Sequence, residues 1–264
     1  MKKTLPTLFL LLVSLICFSQ GDLSIGYAVS VPLKDMAAHT SAAHQATISG
    51  NLAIKIKPKN YLWVGAEAGA GNYAHKKIEQ TLKFSDGTTS KANVKYNSGI
   101  AFGNAVLRYE APLNGILKPY IRVAAGFTNF YTEVDIEDPE DALDCKPLDQ
   151  GSALNDYSFI YSYGAGVKLL FGKEPVNNLN YALDFSITSI MGGDIDYINV
   201  KHIGKEHQHQ TDPIENNKGA KPYTAKFINV NTRSIHKHQI AEVYTNPVRQ
   251  LQAKLSFVLL FNPK

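Results

Sequence analysis

The chain has 264 residues, 44% apolar and 19% charged, enough for one large domain or two modest ones. Its formal charge of +4 falls to about +2 once Lys2 and Lys3 leave with a secretory signal, which is too balanced for nucleic-acid binding. No later stretch is long and apolar enough for a membrane helix, so a chain spanning a membrane after export must do so as a closed barrel.

Lys2 and Lys3 precede an apolar run from Leu8 to Phe18, then Ser19, Gln20, Gly21 and Asp22. A charged start, a short apolar run and a small residue before the cut are the parts of a secretory signal, so 1–20 is read as cleaved and 21–264 as the mature domain. The run falls short of the roughly 20 residues of a spanning anchor. Ile16 stands where lipidation at Cys17 would need a small side chain. With Cys17 gone, Cys145 is the remaining cysteine and no internal disulfide forms.

Strand periodicity then repeats along the chain. Leu23, Ile25, Tyr27, Val29, Val31 and Leu33 alternate with Ser24, Gly26, Ala28 and Ser30. Ala46, Ile48, Leu52, Ile54 and Ile56 alternate with Thr47, Ser49, Asn51, Lys55 and Lys57, and Leu62–Ala70 alternates with Gly65, Glu67 and Gly69. Tyr96–Tyr109 shows the pattern weakly, whereas Ile121–Thr128, Tyr157–Phe171 and Leu179–Thr188 show it clearly. Leu251, Ala253, Leu255, Phe257, Leu259 and Phe261 complete about eight strands, facing away from Gln252, Lys254 and Ser256. Most reach the roughly 9–11 residues that a tilted strand needs to cross a bilayer.

The connections alternate in length. Lys57–Asn60, Pro112–Gly115 and Gly172–Asn178 are short and rich in turn residues; Lys34–Gln45, Ala74–Lys95, Glu137–Asp156 and about 199–246 are long. Short periplasmic turns and long extracellular loops are the layout of an outer-membrane barrel. A soluble β-sandwich or lipocalin-like barrel fits less well. Its strands average about 5–6 residues, and it would not put Glu67, Arg122, Lys168, Asp184 and Lys254 on the inner parity. Tyr61, Trp63, Tyr109, Tyr120, Phe130, Tyr131, Tyr157, Tyr181 and Tyr197 crowd strand ends, as interfacial girdles require. The fold read from these residues is all-β, an eight-stranded antiparallel transmembrane β-barrel.

The signal ending in Ser19-Gln20, the alternating strands and the closing strand with Phe257 and Phe261 resemble the small outer-membrane β-barrel proteins of the porin-like group common in Bacteroidetes. In size the chain is similar to the PorT-type proteins linked to type IX secretion. Asn262, Pro263 and Lys264 depart from that group's usual terminal aromatic.

An eight-stranded barrel is narrow enough for side chains to fill. Glu67, Arg122, Lys168, Asp184 and Lys254, with Lys55 and Arg108, are therefore expected to form an interior ionic network. Gly26, Gly126, Gly164 and Gly166 leave room there for water, which keeps a narrow pore open as an alternative. All eight histidines fall in or beside the long connections. His207-Gln208-His209 and His236-Lys237-His238 place pairs of imidazoles on one strand face, a candidate Zn²⁺ or Cu²⁺ site, although no Cys or Glu completes an established spacing. No catalytic residue is assigned: His75 beside Glu79, with Ser189 or Ser234, matches no hydrolase motif, and no nucleotide or HExxH motif occurs. The expected role is non-enzymatic, a scaffold, adhesion or partner-docking protein acting through its loops. A narrow diffusion or small-ligand uptake channel is the alternative, and a lipid-modifying hydrolase ranks below both. Expected partners are outer-membrane lipid and another envelope or extracellular protein, with the barrel itself monomeric.

Overall fold

The first and last strands meet along their shared length, from Gly21 opposite Phe261 to Pro32 opposite Gln250, and this seam closes the molecule. The structure is a computed structural model and describes residues 20–40, 45–56, 61–83, 89–137, 145–147, 151–176, 179–198, 220–229 and 232–261. The signal segment 1–19 and the turn Lys57–Asn60 lie outside these residues. In chain order the elements are β1 (Gly21–Pro32), α1 (Asp35–His39), β2 (Gln45–Lys55), β3 (Leu62–Lys83), β4 (Thr89–Glu110), β5 (Leu117–Glu137), β6 (Cys145–Pro147), β7 (Gly151–Val176), β8 (Leu179–Ile198), β9 (Ala220–Asn229) and β10 (Ile235–Phe261). Eight of the strands form the antiparallel barrel, in the order β1-β2-β3-β4-β5-β7-β8-β10 and back to β1; β9 and β6 extend the sheet from the upper part of β10.

The register fixes the geometry. Stepping across paired residues from Gly21 leads through Ile54, Val64, Leu107, Val123, Tyr163, Ser189 and Leu251 to Val31, ten residues further along β1. The offset must be even, because an odd one would join an outer face to an inner face at the seam. With strands about 4.8 Å apart and a rise of about 3.3 Å per residue, it tilts the strands by about 40°.

The polarity of a soluble protein is inverted over the lower barrel. Ile25 is 63% exposed and Phe127 63%, while Asp22 is 0% and Lys168 2% exposed. Glu67, Arg108, Arg122, Asp184 and Lys254 are also buried. Burial of the charges with exposure of the large apolar side chains is stable only if the surroundings are lipid. From Leu251 to Phe261, ten steps of β10 rise about 25 Å at this tilt, the height of an outer-membrane apolar band.

Above the band the strand pairing continues but the polarity turns over. On β5, inward-facing Val134 and Ile136 are buried and outward Glu133 and Asp135 are exposed. A bulge at Tyr73 on β3, and one at Gly192–Gly193 opposite Val248, shift which residues face inward. Among the described residues, strand runs into the long connections: β3 continues to Lys83, β4 starts at Thr89, and β10 begins at Ile235. Alternation is hard to see there in the sequence because the outside meets water and takes polar residues.

Two apolar clusters fill the upper lumen. One gathers Tyr73, Ile100, Phe130, Ile160, Ile195, Tyr197, Tyr244 and Val248 around Met36 of α1. Above it Val94, Tyr96, Val134, Ile136, Ile198, Ala225, Ile240 and Val243 pack together. Tyr96 Oη donates to the Ile240 carbonyl at 2.7 Å, joining β4 to β10 across the mouth.

Three expectations are corrected, two of them about the interior. Trp63, Tyr120, Phe130 and Tyr197 are buried inside the barrel, whereas Tyr61, Tyr109, Tyr157 and Tyr181 remain on the outside as girdle residues. Parity decides this: Leu62 and Val64 face out, so Trp63 faces in. The space at Gly166 is filled by the Tyr120 ring, and that at Gly26 by Ser256, so these glycines admit side chains, not a water column. Last, β7 reaches Val176 and β8 starts at Leu179, so their connection is tighter than Gly172–Asn178.

Arginine in place of Phe257, near the middle of the apolar face of β10, should cost about 2–4 kcal/mol in urea unfolding from lipid vesicles. A cost near zero would place that face in water.

Candidate functional site

The lower lumen is built from inward positions of several strands. On the inner parity of β1, Asp22 accepts from Lys168 Nζ of β7 at 2.6 Å and from Arg108 Nη2 of β4. Lys168 Nζ also lies 2.7 Å from Glu110 Oε1, and Arg108 Nε is 3.2 Å from the same oxygen. The Trp63 ring lies 4.9 Å from the Arg108 guanidinium carbon and 5.1 Å from Lys168 Nζ, a cation–π floor for both cations.

The second group is centred on Glu67 of β3. One carboxylate oxygen accepts from Arg122 Nη2 of β5 at 2.5 Å and the other from Lys254 Nζ of β10. These strands lie on different sides of the barrel, so the triad braces the wall across the lumen. Asp184 of β8 instead accepts from Tyr120 Oη, at 2.8 and 3.0 Å from its two oxygens.

Of the five residues proposed from the sequence, the structure therefore brings Glu67, Arg122 and Lys254 together. It puts Lys168 in the neighbouring group and gives Asp184 a phenol as its hydrogen-bond partner. Asp22 and Glu110 escape the sequence reading. Asp22 sits in the cleavage junction, although its position before Leu23 already puts it on the inner parity. Across the three groups, Asp22, Glu67, Glu110 and Asp184 balance Arg108, Arg122, Lys168 and Lys254. This neutrality makes burial of so many charges tolerable.

The residues weighed for other chemistry lie apart. His75 on β3 hydrogen-bonds Asn97 on β4. Ser189 is paired within the barrel wall between Tyr163 and Leu251, and Ser234 lies beside Thr232 before β10. His207 and His209 lie outside the described residues; His236 and His238 are in β10, opposite Phe227 and Ala225 of β9. Among the described residues, no cluster of three or more His, Cys, Asp or Glu side chains is arranged to hold a metal ion.

No protein-family model matches the chain, and no curated protein does. Among solved structures it is similar to Neisserial surface protein A, with 9% identity over 91% of this chain and 96% of that one, at a TM-score of 0.39. It is also similar to a major outer membrane protein from Thermus thermophilus, with 10% identity, coverage of 91% and 99%, and a TM-score of 0.46. A third similarity is to the outer membrane protease OmpT from Escherichia coli, with 9% identity, coverage of 93% and 97%, and a TM-score of 0.33. The class the fold defines is the eight-stranded outer-membrane β-barrel, and it rests on the closed register and inverted polarity.

Glu67→Gln would leave Arg122 and Lys254 buried without their shared counter-ion. It should destabilise the barrel by about 3–5 kcal/mol in vesicle-based urea unfolding. Combining it with Arg122→Leu and Lys254→Met should recover most of that loss, and a single substitution without effect would show that the triad does not form.

Proposed function

We propose that the protein is a non-enzymatic, monomeric outer-membrane barrel, exported with a cleaved signal at 1–20, that acts as a scaffold or adhesin by docking another envelope or extracellular protein. The observation that carries this reading is the apolar core above the membrane band, where Val94, Tyr96, Val134, Ile136, Ile240 and Val243 join β4, β5 and β10. Crossing the bilayer does not require such a core. Its effect is to hold a raised sheet, extended by β9 and β6, whose outer surface is polar and faces the medium. Loops and strand ends held on a rigid scaffold are where recognition is concentrated. The resemblance to PorT-type proteins is in keeping with a partner in the cell envelope.

The filled lumen supports this over the channel alternative: cross-lumen ion pairs lie below and two apolar clusters above. In planar bilayers the protein should show no discrete conductance steps. Crosslinking in native outer membranes should capture a partner that is lost when residues 200–240 are deleted, while the folded barrel keeps its altered migration on unboiled gels. Conductance steps that survive the deletion would favour the channel.

A further inference from the structure

The charged lower lumen and the apolar upper lumen are separated by a small cavity. It measures about 20 Å³ and lies between Glu67 and Arg122 below and Ile100, Phe102, Ile160 and Val248 above. That volume suits about one or two waters. Four buried polar atoms on residues lining it lack a hydrogen-bond partner among the described residues: Thr47 Oγ1, Asn104 Oδ1, Arg122 Nε and Gln250 Nε2. They come from four different strands and share one space, which is the signature of an occupant, not of scattered packing faults. Because Glu67 is shared by Arg122 and Lys254, the triad at this cavity carries a net positive charge. Arg122 Nε, Gln250 Nε2 and the Thr47 hydroxyl can all donate, whereas Asn104 Oδ1 only accepts, so an acceptor-rich, anionic group held by the first three matches the space best.

Ile100, Ile160 and Val248 of the cavity's apolar lining belong to the same cluster as Met36, which comes from a piece of chain that is not part of the wall. β1 ends at Pro32 and β2 begins at Gln45, whereas β3 continues to Lys83 and β10 starts back at Ile235. Between β1 and β2, α1 drops Met36 into the apolar cluster, where it is 1% exposed. The helix is only 5 residues long, has no side-chain N-cap hydrogen bond, and is entered through Lys34 at a φ of 55°. Helices this short have little stability of their own. Met36 burial seats it, aided by Thr40 Oγ1 donating to the Met36 carbonyl at 2.8 Å and by the His39 ring stacked 3.8 Å from Tyr244. An unbranched, flexible thioether is the protein side chain closest to a short hydrocarbon chain.

We propose that α1 is a displaceable stopper, and that the lumen beneath it takes a single-chain carboxylate amphiphile, its head on Arg122, Gln250 and the Thr47 hydroxyl and its chain in the apolar space that Met36 vacates. The dimensions fit. Asn104 and Ile100 are four residues apart on the inner face of β4, a rise of about 10 Å at the strand tilt, the reach of a medium-length chain. The floor stays shut by the Glu67 triad, so this is a blind receptor pocket, not a conduit, and the inference stands independently of the docking role.

The test is calorimetric titration of decanoate into the full-length protein in lipid nanodiscs, with empty nanodiscs and 1-decanol as controls. Saturable heat beyond empty nanodiscs is expected, with decanol binding at least about tenfold more weakly for want of the charged head. Met36→Ala should bind roughly tenfold more tightly, because the stopper loses its anchor. Gln250→Leu should weaken decanoate about tenfold, and Ile160→Trp, which fills the roof, should abolish saturable binding; gel migration confirms that each variant is folded. The proposal is overturned if neither the native protein nor Met36→Ala gives saturable heat. It is also overturned if decanol binds as tightly as decanoate, or if folded Ile160→Trp and Gln250→Leu bind unchanged.

Discussion

A bilayer offers no partner for a backbone N–H or C=O, so a sheet that enters it cannot keep an edge. In this protein that constraint is met at one place, the pairing of β1 with β10 from Gly21–Phe261 to Pro32–Gln250. The ten-residue offset of that seam sets the tilt, the tilt sets the height of the apolar band, and the even count keeps one face outward all the way round. Opening the seam would expose a row of unpaired groups to lipid on both strands at once.

The filled interior follows from the same requirement. Once Leu, Ile, Phe and Tyr side chains are committed to the outside, the alternate positions must point into a lumen too narrow to hydrate freely. Charges there persist only as mutually bonded sets that balance one another across the lumen. Glu67 bridging Arg122 and Lys254, and Asp22 bridging Arg108 and Lys168, tie strands that are not neighbours and so act as struts. Above the membrane the requirement relaxes. Water outside lets Glu133 and Asp135 face out, and the lumen closes with ordinary hydrophobic packing around Tyr96, Val134 and Met36. A single set of strands thus carries two opposite polarity patterns end to end.

The lower barrel is legible in the sequence because two-residue alternation survives whichever solvent lies outside. Leu251–Phe261 and Tyr157–Phe171 read directly as walls, and the same parity puts Glu67, Arg122, Lys168, Asp184 and Lys254 inside. Partners are less accessible, since which inner groups meet depends on stagger accumulated over several strands; hence Asp184 meets Tyr120. The upper strands read as loops because their polarity turns over and bulges at Tyr73 and Gly192–Gly193 shift the phase. Residue type suggests girdle positions for Trp63 and Tyr120, but parity points them inward, and parity prevails. The seating of Met36 leaves no periodic trace, since one helical turn is too short to show any.

The central claim is that the greasy face of the closing strand meets lipid while its polar face is sealed inside. Nitroxide labels placed singly at residues 251–257 in bilayer-reconstituted protein test it through collisions with oxygen and with a water-soluble nickel complex. Leu251, Ala253, Leu255 and Phe257 should show high oxygen and low nickel accessibility, while Gln252, Lys254 and Ser256 are shielded from both reagents. Nickel-accessible labels at Lys254 and Ser256, with Leu255 and Phe257 shielded from oxygen, would instead describe a soluble barrel with its core on the other side.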